Sequence, residues 1–369
     1  MSFRKRNEKA GVSARTAPVL ENSFSQARND AIAGIQLPPS LRKSPLFSHT
    51  TVHSTGTPTL DDILGHKGQP LGTLIIIMED GVTDFASVVA RCYAAQGSEN
   101  RDKVVAVGVD QNWKSGLPAR RKRSELSKNS TTNFSVLEQE KIKIAWRYNQ
   151  SRTSSHAVVD DSGYCAHWSL AARPLSTPEI TVISVIWDNG QLLFEEIISE
   201  ISNILTTSSG IVRVVIPGFL SLPLYPSEHS YNPKLLLPFL FRLRTLVRTY
   251  PDRITILITM TSTLFHEPTD RQTPGNLAVL LPWIEQLADG VLQLVPCRLS
   301  EDDHESSFQG LVEIMKLPLV SERGSMAVRK AKYAFKVGKS GMKIEKWGTP
   351  LIIGGQEKTE LSEKIGLRF

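Results

Sequence analysis

The sequence predicts an α/β fold: a mainly parallel, twisted sheet flanked by helices, with antiparallel strands added near the C-terminus. Three observations predict it. Leu74–Met78 (LIIIM), Val104–Val109 (VVAVGV), Ile211–Ile216 (IVRVVI) and Ile254–Met260 (ITILITM) are short, nearly unbroken apolar runs, as strands buried on both faces require. Segments with apolar residues at helical spacing alternate with them. Late in the chain, Gly310–Lys316, Lys332–Lys336 and Met342–Trp347 read as antiparallel edge strands, and GKSG at Gly338–Gly341 is a hairpin turn.

In order along the chain, residues 1–47 are rich in Arg, Lys, Ser, Asn, Ala and Pro, and are expected to form a disordered tail. Lys5-Arg6 and Arg42-Lys43 read as solvated tail charges that also suit RNA. Order is expected from Ser48. Leu60–Gly65 is a short helix closed by glycine, and Gln69–Gly72 turns into the first strand. Phe85, Val88, Val89 and Cys92 mark one face of the next helix, with Gly97 as its expected stop. Residues 112–179 break the pattern and form a partly flexible insertion, in which Glu138–Tyr148 reads as a helix. Leu192–Leu205 and Leu235–Tyr250 are amphipathic helices, the second ended by Pro251. Leu277–Leu287 is helical but interrupted by Pro282, and Gly290–Val295 is a strand. Residues 48–348 thus form one domain, with a tail at 349–369.

Composition excludes several classes. The chain has 369 residues, 40% hydrophobic and 22% charged, as in an ordinary globular protein. No run reaches the ~18 apolar residues a membrane span needs, and no apolar core follows Met1–Arg6, so neither a membrane nor a secretory signal is expected. Cys92, Cys165 and Cys297 lack metal-ligand spacing and are expected as reduced core residues of an intracellular protein. Net charge is +6, which permits a polyanionic partner without requiring one.

The turn after the first strand poses the functional question. A strand–loop–helix of this outline carries, in nucleotide-binding proteins, Gly-x-x-x-x-Gly-Lys-Ser/Thr, whose amides and lysine grip phosphate. Here the turn is Glu79-Asp80-Gly81-Val82-Thr83-Asp84-Phe85, with one glycine, no lysine and three acids. No nucleophile, base and orienting group assemble elsewhere in the sequence, so no catalytic residue is assigned.

The order of elements resembles the RecA-like ATPase core. Ser54-Thr55-Gly56, Leu60-Asp61, Leu64-Gly65 and Pro70-Leu71-Gly72 precede the strand as the entry motifs do there. Laid on that pattern, Asp84 holds the phosphate-loop lysine position, Phe85 the Ser/Thr position, and Pro217 the site of the Mg²⁺-binding Asp. An acid 4 Å from phosphate costs on the order of 4 kcal/mol at an effective dielectric near 20, so conventional MgATP binding is disfavoured. Ser54–Asp62 (STGTPTLDD), Leu71–Ala95, Lys141–Tyr148 (KIKIAWRY) and Val212–Pro226 (VRVVIPGFLSLPLYP) together resemble the PAXNEB family, the fourth subunits of the Elongator complex. The resemblance implies a RecA-like fold without the usual phosphate loop, in a heterohexameric ring with the fifth and sixth Elongator subunits. It implies that this accessory ring serves core Elongator subunits, binds tRNA and supports carboxymethyl-type modification of the wobble uridine (U34). It also implies no cofactor on this chain alone, ATP at ring interfaces, and residence in cytoplasm and nucleus. An NTPase with sites shared between subunits, or a pure assembly scaffold, stays open. The acidic turn is expected to meet basic groups of a neighbouring subunit.

Two loops occupy the positions of pore-facing nucleic-acid loops: Leu220–Lys234, with His229, Tyr231 and Lys234, and Ser262–Asn276, with Arg271. Basic and aromatic side chains there suit phosphates and bases; plain solvent loops fit them equally. Arg120 and Arg121 open a basic run that reads as a phosphate clamp outside the pore or as a solvated insertion. Arg242, Arg244 and Arg248 read as an exposed helix face.

Overall fold

The computed structural model describes residues 37–80, 83–121, 163–176, 178–184, 187–188, 191–192, 194–221, 225, 232–262, 280–297, 308–318 and 332–347. From Pro39 onward they belong to one compact unit. The strands are β1 (Leu41–Lys43), β2 (Thr51–His53), β3 (Gln69–Pro70), β4 (Thr73–Glu79), β5 (Lys103–Val107), β6 (Ala119–Arg120), β7 (Trp168–Ser169) and β8 (Ile180–Ile183). They continue with β9 (Trp187–Asp188), β10 (Gln191–Leu192), β11 (Val212–Phe219), β12 (Ile254–Thr261), β13 (Gly290–Pro296), β14 (Gly310–Lys316), β15 (Lys332–Gly338) and β16 (Gly341–Lys346). The helices are α1 (Pro58–Ile63), α2 (Phe85–Glu99), α3 (Phe194–Thr207), α4 (Pro233–Thr249) and α5 (Leu281–Leu287).

Nine strands form one sheet in the order β16-β15-β14-β13-β4-β12-β11-β5-β8. Pairing is parallel from β13 through β8 and antiparallel from β13 through β16. One strand, β12, separates β4 from β11, the strand order of a RecA-like core. All seven residues of β4 are buried, which is why its sequence shows no alternation. Its side chains still alternate in direction. Leu74, Ile76 and Met78 pack with α3, α4 and α5, whereas Ile75 and Ile77 pack with α1, α2 and the C-terminal strands. The result is three layers with a core on each face of the sheet.

Gly97 does not stop α2; the helix runs through it to Glu99. A Cβ at this position would lie 2.6 Å from Val104 Cγ2 and 2.8 Å from Arg213 Cδ, so the glycine lets the helix approach the sheet. Pro282 does not interrupt a helix but starts α5, near its N-terminus, where its missing N–H costs nothing. β8, which pairs in parallel with β5, falls in a stretch where no strand is expected from the sequence; it is a four-residue edge strand with two half-buried residues. Order also begins before Ser48, because Leu41–Lys43 pairs antiparallel with Thr51–His53. The guanidinium of Arg42 lies 4.1 Å from the centre of the Tyr164 ring rather than free in solvent.

Part of the 112–179 stretch is built into the fold: β6 pairs with β7, and Leu170 N–H donates to the Lys339 carbonyl. Cys92 is buried, while Cys165 and Cys297 are only partly so. Arg244 and Arg248 are not simply an exposed face. They converge on the buried Asp289 carboxylate at 3.6 and 2.5 Å, and that carboxylate also accepts from Leu74 N–H at 3.0 Å. The cluster ties α4 to the starts of β4 and β13. Arg242 pairs with Glu195 at the surface, 2.7 Å. The Glu138–Tyr148 segment and the 349–369 tail lie outside the described residues. Among those described, no helix is long and apolar enough to cross a membrane.

Gly97→Ala tests the close approach. Helix propensity favours alanine by about 1 kcal/mol, but overpacking costs about 1–3 kcal/mol, and Arg213 is pinned. Urea unfolding is expected to show net destabilisation of about 1–2 kcal/mol; a gain in stability would mean the helix can retreat.

Candidate functional site

Register places Glu79 opposite Thr261, and Met260 opposite both Met78 and Phe219. The ends of β4, β12 and β11 therefore line one edge of the sheet, where ligands bind in open α/β folds. Glu79 is the last residue of β4 and is 4% exposed. Its side chain turns back to the N-terminus of α2. Oε1 accepts from Phe85 N–H at 2.8 Å, Oε2 from Ala86 N–H at 2.8 Å, and the Thr83 hydroxyl donates to Oε1. These are the first amides of the helix, which a phosphate-binding loop would offer to its anion. A carboxylate from the chain itself fills the position, stabilised by charge-assisted hydrogen bonds and the helix dipole.

The other turn residues follow from this. Asp84 stands at the N-cap without capping the helix; it is exposed, and its Oδ2 accepts from Ser87 Oγ at 2.7 Å. Asp80 accepts from Ser262 Oγ at 3.3 Å. Gly81 lies outside the described residues. Phe85 is half-buried, and its ring meets Phe335 edge-on at 5.1 Å, so the expected Mg²⁺-ligand position has become an apolar link between α2 and β15. Pro217 lies within β11, whose register with β12 shifts between Ile216 and Phe219. Gly218 N–H donates to Thr259 Oγ1 at 2.9 Å there. Among the described residues, no cluster of three or more His, Cys, Asp or Glu could hold a metal.

The expectation that Glu79 reaches a neighbouring subunit needs correction, because its carboxylate is buried and engaged within this chain. Of the three acids of the turn, Glu79 is buried, Asp80 half-buried and Asp84 exposed.

A buried polar network helps to hold the strands that lead to this edge. Asp61 accepts from Ser54 Oγ at 2.5 Å, Thr55 N–H at 2.8 Å and Thr55 Oγ1 at 2.6 Å. Burial pushes its carboxyl up to about 7, against those hydrogen bonds and the nearby Arg213 charge. Arg213, fully buried on β11, donates from Nε to Asp102 Oδ2 at 2.6 Å and from Nη1 to the Ser54 carbonyl at 2.7 Å. The Ser-Thr-Gly, Leu-Asp and VRVVI motifs are therefore parts of one connected network. Burial, then the Arg213 charge, lowers the pKa of His53, which stays neutral beside it.

Of the sequence-predicted RNA contacts, Lys234 is exposed in the first turn of α4, where its own N–H donates to the Asn232 cap at 3.0 Å. Because α4 connects the parallel strands β11 and β12, that end lies at the same sheet edge as Glu79. His229, Tyr231 and Arg271 lie outside the described residues. Arg120 pairs with Glu99, so it is partly committed, whereas Arg121 has no acidic partner among the described residues. These two lie on the β6–β7 ribbon, apart from Lys234. Sequence reasoning missed the roles of Glu79 and Arg213. For Glu79 the sequence carried no sufficient signal, because Asp84 reads as the N-cap of α2 and only the structure shows that it does not cap the helix.

Glu79→Ala strips acceptors from two amides and is expected to destabilise the chain by about 3 kcal/mol. Glu79→Gln keeps the shape and one acceptor, so about half that loss is expected. Chemical unfolding checks both; equal, negligible effects would mean that the carboxylate is not seated on the helix.

Comparison with known proteins then places the chain. Elongator complex protein 4 of Saccharomyces cerevisiae is 26% identical over 361 residues, covering 84% of this chain and 76% of that protein. Elongator complex protein 4 of Schizosaccharomyces pombe is 27% identical over 367 residues, covering 92% and 96%. A KaiC-like protein from Pyrococcus horikoshii matches in structure at 17% identity and a TM-score of 0.41, over 79% of this chain and 98% of that one. The description of the PAXNEB protein family matches residues 34–365, and the chain belongs to that family.

Proposed function

We propose that this chain is the fourth subunit of an Elongator complex, a non-catalytic member of an accessory ring that holds tRNA while its wobble uridine is modified by another subunit. In this reading the ring contains two copies each of this chain and of the fifth and sixth Elongator subunits, acts with the core subunits, and works in cytoplasm and nucleus. The observation that carries it is the Glu79 carboxylate on the first amides of α2. A subunit whose anion position is filled by its own side chain keeps the frame of a motor protein without its grip on nucleotide. The names of the yeast and fission yeast relatives support the complex.

In the assembled ring, ATP is held at interfaces by groups from neighbouring subunits. This chain supplies the wall against which they pack and part of the RNA-facing edge. Lys234 would meet phosphates from that edge, and His229, Tyr231 and Arg271 are proposed from the sequence as further contacts with phosphates and bases. Nothing in the reading asks this chain to move a proton or break a bond.

Co-expression with the fifth and sixth subunits tests the proposal by native mass measurement, tRNA binding and ATP hydrolysis. A two-two-two hexamer that binds tRNA, with no hydrolysis by this chain alone, is the expected result. Hydrolysis by the purified chain alone would replace the reading with that of an NTPase. A hexamer without tRNA affinity would leave a scaffold.

A further inference from the structure

A cationic surface lies on the α2 face of the sheet, opposite the face that α4 covers, around α2, the turn of 3-10 helix at Gln111–Gly116, the β6–β7 ribbon and the β15–β16 turn. The ribbon is fixed over α2 by an apolar cluster of Val88, Cys92, Ala95, Ala166, Trp168 and Leu170. Its far side is fixed to the hairpin turn by the Leu170–Lys339 hydrogen bond, 2.9 Å. The Arg173 guanidinium donates to the Gly116 carbonyl at 2.5 Å. A Cβ built on Gly116 would stand 3.8 Å from both Arg173 Nη1 and Arg91 Nε, so the two cations flank one point of the backbone. Arg91 Nε is buried with no hydrogen-bond partner. Arg121 N–H donates to the His167 carbonyl at 2.8 Å on the same ribbon.

The charges here are poorly balanced. Glu99 is taken by Arg120, and Asp110 is occupied by the Trp113 amide and Asn112. Arg91, Arg121, Arg173 and Lys339 have no acidic partner among the described residues. Among the described residues, the exposed Phe241, Trp283 and Met315 lie on α4, α5 and β14, while Leu175 stands exposed two residues after Arg173. Protein interfaces need an apolar, charge-depleted centre, whereas a phosphate backbone asks for forked cations on a polar surface.

We propose that Arg91, Arg121, Arg173 and Lys339 form a second polynucleotide contact, which grips the sugar–phosphate backbone of RNA without reading its sequence. The proposal rests on the reading above that the assembly binds tRNA, and adds a surface distinct from the Lys234 edge. Phosphate contacts of this kind fix the placement of a folded RNA and carry its salt dependence, while any base reading is left to other groups.

The test measures labelled tRNA binding to the full-length chain co-purified with its ring partners, from 50 to 250 mM salt, for wild type, Arg121→Gln/Arg173→Gln, Lys339→Gln and Lys234→Gln. Glutamine at 173 can still donate to the Gly116 carbonyl, and melting curves check folding. The double variant is expected to lower the slope of log affinity against log salt by about 1.5–2 units, and Lys339→Gln by about 1, with equal effects on tRNAs of different sequence. An unchanged slope for these variants alongside weakened binding by Lys234→Gln would overturn this surface and leave the ring reading intact. No tRNA binding by wild type would overturn both. Loss of binding to a polyglutamate probe with tRNA affinity intact would assign the surface to an acidic protein and overturn the proposal.

Discussion

A single carboxylate seated on a helix terminus governs the functional end of this protein. Glu79 ends the central strand β4 and reaches the amides of Phe85 and Ala86. A helix N-terminus brought to the edge of a parallel sheet presents unpaired N–H groups and a positive dipole end. Those groups must meet an anion, a cap or water. In nucleotide-binding proteins that need is met by phosphate, so the helix is fully satisfied only when loaded. Here it is met within the chain, which makes the strand–loop–helix complete without ligand. The acidic character of the turn then has a structural origin in Glu79 and not only a repulsive effect through Asp84.

Much of the rest serves to hold β4 and its neighbours so that this geometry is kept. Asp289 locks the start of β4 to β13, accepts from Arg248 of α4 and lies in ion-pair range of Arg244. Arg213 joins β11 to Asp102 and to the Ser54 carbonyl, and Ser54 in turn donates to Asp61. Each is a buried charge with hydrogen-bonded partners, the form in which such groups are tolerated. Removing one partner strands the other, so these motifs belong to the architecture rather than to catalysis. Phe85 completes the change of use: where a Mg²⁺ ligand is expected, a ring packs on Phe335 of β15.

The buried strands and amphipathic helices were legible because their signals are local: continuous apolar runs for β4, β11 and β12, helical spacing for α2, α3 and α4. The places where reading failed depend on distant partners. Gly97 reads as a helix stop, yet its reason is the close approach of Val104 on β5 and of Arg213, the latter more than a hundred residues away in the chain. Arg244 and Arg248 read as a solvent face because Asp289 is not visible from their own helix. β8 carries little pattern because it sits at the sheet edge, half-buried. At the candidate site, the loss of lysine, Ser/Thr and acid could be read directly from Asp84, Phe85 and Pro217. What replaced them could not, since an acid in a turn does not announce which way it points.

Amide hydrogen exchange at Phe85 and Ala86, followed in the isolated full-length chain with and without millimolar MgATP, tests the self-seated carboxylate most directly. The account predicts strong protection of both amides in the absence of nucleotide and no change when it is added. Rapid exchange without nucleotide, with protection appearing only on its addition, would show that the helix terminus is an open anion site and would contradict it.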